Sequence, residues 1–475
     1  MKMGRSAISK TALWAIIAVV IVVVVVGGVA AYYATRPPPP KPTPAPIPTP
    51  THAIVGQVTI GVATCLTGPY GFAGEEVLKA AQLAVNNINS RGGIYLANGP
   101  DGPGNYTINL VWTDDQTNPS VGPTALLQLY TTYHPAVVLG SIDTPVVYAE
   151  EPVIRQYNII YIPNIGGVSD VTVSANYTPL TENSMIIHLE PTAYIYGVQA
   201  VKFLLEYKNQ INPSGPIRLA YFGTLSDPAS IDMFNGLNNT IYELDVQNEI
   251  EIVSVQWIPA SATTFQSTLT AVAGYSPNVM FMGIPPPQFI SILHEAAAYQ
   301  QLRGTTVIVW TPEDDPTVYN ALGSTVDDFN TFVITDFPAT ANTSNAALNQ
   351  LWQNYRNEYL AYAGAPLGAL GSFGFDQIYI SAAALMKAGT TNTSAVIAAF
   401  QELTPSDVPW PLANVYTPFP PNNTLIGPPS AGVLYNSVNM TYFWVEAFYN
   451  STSGSVYTQV AWPPQYATTS PSFSH

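Results

Sequence analysis

The sequence predicts an α/β fold built from two tandem, doubly wound, mainly parallel sheets flanked by helices. Three observations carry this. Short apolar runs of strand length, such as VTIGVA (Val58–Ala63) and NVMFMGI (Asn278–Ile284), alternate with longer stretches of helical period. The alternation passes through four strands and restarts after Glu190-Pro191. The first strand runs into LTGPYGFAGEE (Leu66–Glu76), a glycine-rich, aromatic loop at the carboxyl end of a strand, where open parallel sheets collect ligands.

In the first unit, VTIGVA leads to a helix over EEVLKAAQLAVNNINS. Val77, Ala81, Ala84 and Ile88 form one stripe of that helix, and Gly92-Gly93 stop it. YTINLVWTDD (Tyr106–Asp115) is the second strand. Asn118-Pro119 then reads as the cap and first turn of a helix carrying Ala125, Leu126 and Leu129. AVVLGS (Ala136–Ser141) and NIIYIPNI (Asn158–Ile165) are strands three and four, with PVVYAEEPVIRQY between them. In the second unit, helix AYIYGVQAVKFLLEY precedes strand IRLAYFG (Ile217–Gly223). Helix SDPASIDMFNGLNNTIYEL, strand EIVSVQWI and helix TTFQSTLTAVAGY follow. NVMFMGI, helix PPQFISILHEAAAYQQL and strand TTVIVWT (Thr305–Thr311) complete the rhythm. A crevice between two such units is a favoured place for a small ligand.

The 475 residues are 47% hydrophobic and only 9% charged, which excludes a disordered chain. Five of the 14 basic residues precede residue 42, so the remainder sets nine cations against 30 acids and suits nucleic acid poorly. The single cysteine, Cys65, excludes an internal disulfide and a cysteine-cluster zinc site, and its apolar neighbours predict a packed thiol. Lys2, Arg5 and Lys10 precede an apolar run, Ala12–Ala34, long enough to span a bilayer, with Trp14 and Tyr32-Tyr33 near its edges. This predicts a short cytoplasmic N-terminus (1–10) and a single-pass membrane anchor (11–35), with the bulk of the chain outside the cell; a leader cut before the apolar run is the alternative. The proline-rich RPPPPKPTPAPIPTPTH reads as an extended stalk, taken to 36–56. Sequons at Asn105, Asn176, Asn238, Asn342, Asn392, Asn422, Asn439 and Asn450 suit a glycosylated surface protein.

Motifs of catalysis are missing from the sequence: it has no GxSxG, HExxH, Walker A or dinucleotide fingerprint. Its five histidines lack ligand spacing and read as surface or capping residues, so no metal and no cofactor is expected. The pairs Asp114-Asp115, Glu150-Glu151, Asp314-Asp315 and Asp327-Asp328 offer carboxylates for glycosidase chemistry, but adjacent acids at strand ends read first as helix caps or solvated charges. A non-enzyme is expected.

Taken in order, VTIGVA, LTGPYGFAGEE, LKAAQLAVNNINSRGGI, INLVWTDDQTNPS and VVLGS resemble the first lobe of branched-chain amino acid-type (Leu/Ile/Val-binding) substrate-binding proteins of ABC transporters. The likeness continues through IRLAYFG, TTFQSTLTAVAGYSPNVMFMG, TVIVWTPED and FGFDQIYISAAALMKAG, covering about Gln57 to Tyr466. The tether and stalk resemble the archaeal form of such receptors. The resemblance implies a type I periplasmic-binding-protein fold, with lobe 1 at 57–190 plus 337–405, lobe 2 at 191–336 plus 406–466, and a tail at 467–475. Hinge crossings fall near Glu190–Thr192, Asp336–Ala339 and Leu403–Pro411. The partners implied are a small-molecule ligand and the permease and ATPase subunits of an importer, and the receptor is expected to be a monomer.

Carried onto this chain, the resemblance puts Glu313 in WTPEDD at the position that pairs with a ligand ammonium. Ser141 and Thr144 in GSIDTPVVY stand where hydroxyls hold an α-carboxylate, with the N–H groups of Gly166 and Gly167 in support. Asp143 departs from that pattern, since it would repel a carboxylate, and glycine replaces a threonine after strand four. Tyr70 and Phe72 form an apolar wall, with Trp310 beside them; the tyrosine expected after NVMFMGI is replaced by IPPPQF, where Phe289 is the remaining aromatic. The ligand expected is an amino acid or related small polar molecule. Peptides, amides, polyamine-like molecules and sugars stay open, as do a sensory ectodomain and, last, a secreted glycan-active enzyme.

Overall fold

A computed structural model describes residues 53–164, 184–190, 192–310, 314–416 and 440–473. The anchor (11–35) and most of the stalk lie outside these residues. Among the described residues no helix is long and apolar enough to cross a membrane. The first strand, β1 (Ile54–Thr64), begins four residues earlier than the sequence reading, inside the stretch taken as stalk.

The first sheet has five strands in the order β2-β3-β1-β4-β5. Helix α1 (Gly71–Ser90) follows β1 and starts inside the glycine-rich stretch, so the true loop is only Cys65–Tyr70. Next come β2 (Ile94–Gly99) and β3 (Gly102–Asp114), an antiparallel pair at the sheet edge. The sequence reading had no strand at β2. Helix α2 (Gly122–Tyr133) starts four residues after Asn118, with Pro123 in its first turn. Asn118 does not cap it: the Oδ1 accepts the Ser120 N–H at 2.9 Å, closing a local turn instead. β4 (Val137–Leu139), α3 (Thr144–Tyr157) and β5 (Tyr161–Ile162) complete the sheet. β5 is much shorter than the apolar run NIIYIPNI.

After α4 (Ala193–Glu206) and the short α5 (Lys208–Ile211), the second sheet has seven strands in the order β12-β11-β10-β9-β8-β6-β7. Its parallel part is β6 (Ile217–Thr224), β7 (Ile250–Ile258), β8 (Val279–Gly283), β9 (Thr306–Val309) and β10 (Asn330–Thr335). Between these strands run α6 (Pro228–Glu243), α7 (Gln266–Gly274), α8 (Pro286–Ala296) and α9 (Pro316–Leu322). The chain then leaves this sheet for α10 (Ala346–Ala363), α11 (Ala369–Ala388) and α12 (Thr393–Glu402); α11 packs along α1 of the first unit. It returns as the antiparallel hairpin β11 (Phe443–Asn450) and β12 (Ser455–Trp462). The segment read as a tail is held on this sheet. Ser472 N–H donates to Glu446, and Phe473 packs 5.7 Å from the ring of Phe332.

Burial explains both the pattern and its misreadings. The inner strands are covered on two faces and read as continuous apolar runs: β4, β5, β8, β9 and β10 are buried throughout. Several acids placed at the surface by sequence are interior: Asp115, Glu150 and Asp314 are fully buried. Each accepts at least one hydrogen bond: Asp115 Oδ1 takes the Thr117 N–H at 2.7 Å. Glu150 accepts the Tyr161 hydroxyl, and Asp314 accepts Tyr319 Oη at 2.6 Å and the Ala339 N–H at 2.9 Å. His188, expected outside, is also fully buried, with Nδ1 3.1 Å from Glu190. Of the described sequons, Asn105 is buried within β3, whereas Asn342, Asn392 and Asn450 are exposed.

Candidate functional site

Each sheet has a point where successive crossovers leave in opposite directions, and loops at such points form a crevice. In the first sheet it lies between β1 and β4, in the second between β6 and β8. The loops following β1, β4 and β6, with the residue after β9, meet around one small cavity.

The loop after β1 is built tightly. Gly74 brings α1 onto the strand end: a Cβ there would lie 1.8 Å from the Cys65 carbonyl oxygen. Gly68, at φ +88°, lies against the Gln116 carbonyl, leaving 2.5 Å for a Cβ. Asp114, at the end of β3, clamps the loop by accepting the Leu66 N–H at 2.9 Å and the Thr67 hydroxyl at 2.7 Å. Burial works against that carboxylate, but the hydrogen bonds from Thr67, Gln116 and Leu66 hold its pKa below the usual range. The clamp presents Tyr70 to the cavity. The glycines of LTGPYGFAG thus serve backbone packing here.

After β4, the Ser141 N–H donates to Tyr161 Oη at 2.8 Å, and Ser141 Oγ accepts the Asp143 N–H at 3.2 Å. Ser141 is fully buried beneath this turn, while Asp143 and Thr144, at the start of α3, line the cavity. Asp143 stands at the N-cap of α3, yet its carboxylate makes no capping hydrogen bond. From the second sheet come Asp227 and Ala229 in the loop after β6, and Trp310 after β9. Asp227 caps α6, with Oδ2 accepting the Ser230 N–H at 2.8 Å. Trp310 stands edge-on to Tyr196 at 5.7 Å and is 8% exposed, and its Nε1 has no hydrogen-bond partner.

The space enclosed is about 20 Å³, room for one water-sized group. Two carboxylates from different sheets line it, and among the described residues no lysine, arginine or histidine does. Burial, then the neighbouring charges of Asp227 and Asp115, pushes the Asp143 carboxyl up to about 7. Burial raises Asp227 too, against its hydrogen bonds from Ser230 and Ala229. Chemically, the arrangement offers two acceptor carboxylates, one buried indole donor and aromatic surface.

The structure therefore brings together Tyr70, Asp143, Thr144 and Trp310 of the residues picked from sequence. Ser141 sits one layer below them. Phe72 points outward, 43% exposed on the first turn of α1, and Phe289 is buried in the second core, away from the cavity. Glu313, Gly166 and Gly167 lie outside the described residues. Asp227 was missed. Its Ser-Asp-Pro setting signals an ordinary helix cap, and only its position after the first strand of the second sheet marks it as equivalent to the loop at Tyr70. Among the described residues no three histidine, cysteine or acidic side chains gather as a metal site.

Residues 57–426 match the family model described as periplasmic binding protein. No curated protein sequence matches the chain. Among solved structures it is similar to a leucine binding protein, LivK, from Thermotoga maritima, at 14% identity and a TM-score of 0.64, covering 86% of this chain and 99% of that one. It is also similar to the branched-chain amino acid transporter substrate binding protein LivJ of Streptococcus pneumoniae in complex with isoleucine, at 16% identity and a TM-score of 0.61, covering 86% and 100%. A fatty acid ABC transporter substrate-binding protein from Thermomonospora curvata is similar at 17% identity and a TM-score of 0.62, covering 88% and 94%. Identities this low carry the shared fold and leave the ligand open.

Proposed function

The chain belongs to the periplasmic binding protein family, and on that premise we propose that it is the extracellular ligand-capturing receptor of an ABC importer. It takes an amino acid of the branched-chain type, or a related small polar ligand, between its two lobes and delivers it to the permease. One observation carries this reading: loops from the carboxyl ends of both sheets converge on one cavity. In this reading lobe 1 is 57–190 plus 337–405 and lobe 2 is 191–336 plus 406–466, and ligand binding favours the closed arrangement that the permease recognises. The apolar run 11–35 anchors the receptor, and the proline-rich stretch holds it off the membrane. Neighbours in fold named for leucine, isoleucine and fatty acid handling support a small-molecule ligand without choosing among them.

A thermal-shift screen of the full-length chain against amino acids, amides, amines and carboxylates tests the receptor reading. The expected result is a saturable rise in Tm with at least one compound, lost in Trp310→Ala. No shift with any compound in the panel would sink it.

A further inference from the structure

The cavity has an electrostatic character that a free amino acid does not match. Asp143 and Asp227 reach it from opposite sheets, and among the described residues no cationic side chain lines it. Asp143 lines the cavity, and its carboxylate makes no capping hydrogen bond. Asp227 spends Oδ2 on Ser230. A ligand carboxylate placed here would meet two like charges in a partly desolvated space, whereas an ammonium would meet two acceptors.

Trp310 supplies an independent constraint. Its indole N–H is a donor only, is more than nine-tenths buried, and has no partner. A buried donor left unpaired is costly, so the ligand that suits this wall brings an acceptor. Because carboxylates already flank the site, the acceptor that fits is uncharged.

We infer that the cleft selects an ammonium next to a neutral carbonyl, the chemistry shared by amino-acid amides and peptide N-termini, in preference to a free α-amino acid. The ammonium bridges Asp143 and Asp227, and the carbonyl accepts from Trp310 Nε1. The cavity has room for one water-sized group, the ammonium, so the carbonyl and the remainder of the ligand need the lobes farther apart than in this arrangement. Burial first, and then the charges of Asp227 and Asp115, raise the proton affinity of Asp143, and an arriving ammonium would offset those charges. This inference rests on the receptor reading above and names its ligand class.

The test is calorimetric titration of the full-length chain with a matched series: leucinamide, leucyl-leucinamide, leucine, 3-methylbutylamine and 4-methylvalerate. The expected order places one of the two amides at least tenfold tighter than leucine, with 4-methylvalerate giving no heat. The stronger of the two amides tells a free amide from a peptide N-terminus. Asp227→Asn should weaken the preferred amide at least tenfold. Trp310→Phe should reduce the advantage of leucinamide over 3-methylbutylamine, because that amine has no carbonyl to lose. Leucine or 4-methylvalerate binding more tightly than both amides would overturn the inference and leave the receptor reading standing. An unchanged preference in Trp310→Phe would overturn the role given to the indole. Silence from this series, with another compound of the thermal-shift panel bound, would also overturn it, and silence from both would remove the receptor reading as well.

Discussion

The Glu76 carboxylate accepts the backbone N–H of Gly368, the residue that opens helix α11. The two lie 292 positions apart in the chain and join α1 to α11. Asp315 shares the spot: a Cβ on Gly368 would stand 3.0 Å from Glu76 Oε1 and 2.7 Å from Asp315 Oδ2. Burial, then the charge of Asp315, pushes Glu76 up to about 8, although hydrogen bonds from Gly368 and Gly371 pull the other way.

Glu76 is one of several buried carboxyls raised mainly by burial: Asp143 and Asp376 stand at about 7, and Glu446 at about 8. In the unfolded chain such groups ionise near pH 4. Between that pH and their folded values the native state binds more protons, so the stability they contribute is full in acid and lost as pH rises through about 7 to 8. We expect Tm to be higher at pH 4 than at pH 8. Glu76→Gln keeps an acceptor for Gly368 but cannot ionise. It should raise Tm at pH 8 by a few degrees and change it little at pH 4, as thermal melts across this range would reveal.

Gly74→Ala should destabilise the protein by about 1–3 kcal/mol, the usual cost of overpacking a tight core. The added methyl would fall 1.8 Å from the Cys65 backbone oxygen, and backbone cannot swing aside as a long side chain can. Urea melts of the variant would show the loss as a lower midpoint. An unchanged midpoint would mean that α1 and the end of β1 are not in contact as described.

The α/β alternation was legible because doubly covered strands must be apolar and the helices between them must be amphipathic; VTIGVA and NVMFMGI announce themselves on that ground alone. Boundaries were less legible. The turn-rich ANGPDGPGN hid β2, whose strand state depends on pairing with β3. Asn118 has the chemistry of a helix cap but closes a turn four residues early. Buried acids were least legible of all. Asp314 and Glu150 are interior because Ala339, Tyr319 and Tyr161 supply partners, and proximity in sequence does not announce such pairs. For the site, Tyr70, Asp143 and Thr144 followed from their places after β1 and β4. Asp227 did not, because the same side chain also caps α6.

Cys65 should resist alkylation in the native state. It is fully buried, its thiol donates to the Tyr70 carbonyl at 3.4 Å, and burial followed by the charge of Asp115 pushes its pKa up to about 12. The thiolate is the reactive form, so at pH 8 almost none is present. Mass spectrometry after iodoacetamide treatment should find no adduct in buffer and one adduct in urea. Rapid labelling in buffer would mean that the loop carrying Tyr70 opens readily.

Asp376, near the middle of α11, ties a distant segment to that helix. Its carboxylate accepts the Ala413 N–H at 2.7 Å, and the Asn414 N–H and Nδ2 at 2.9 Å each, all within the interior. Asp376→Ala strands these donors without water, at about 1–3 kcal/mol for each one left unpaired, so a loss of at least about 3 kcal/mol is expected. Asp376→Asn should cost nearly as much, because its amide turns an N–H toward donors that need an oxygen. Hydrogen exchange offers the sharper readout. In Asp376→Asn the amides of Ala413 and Asn414 should lose protection first, while those of β1 and β4, in the first sheet, keep theirs. Uniform loss across the protein would show that this contact supports the whole fold and not the 411–416 segment in particular.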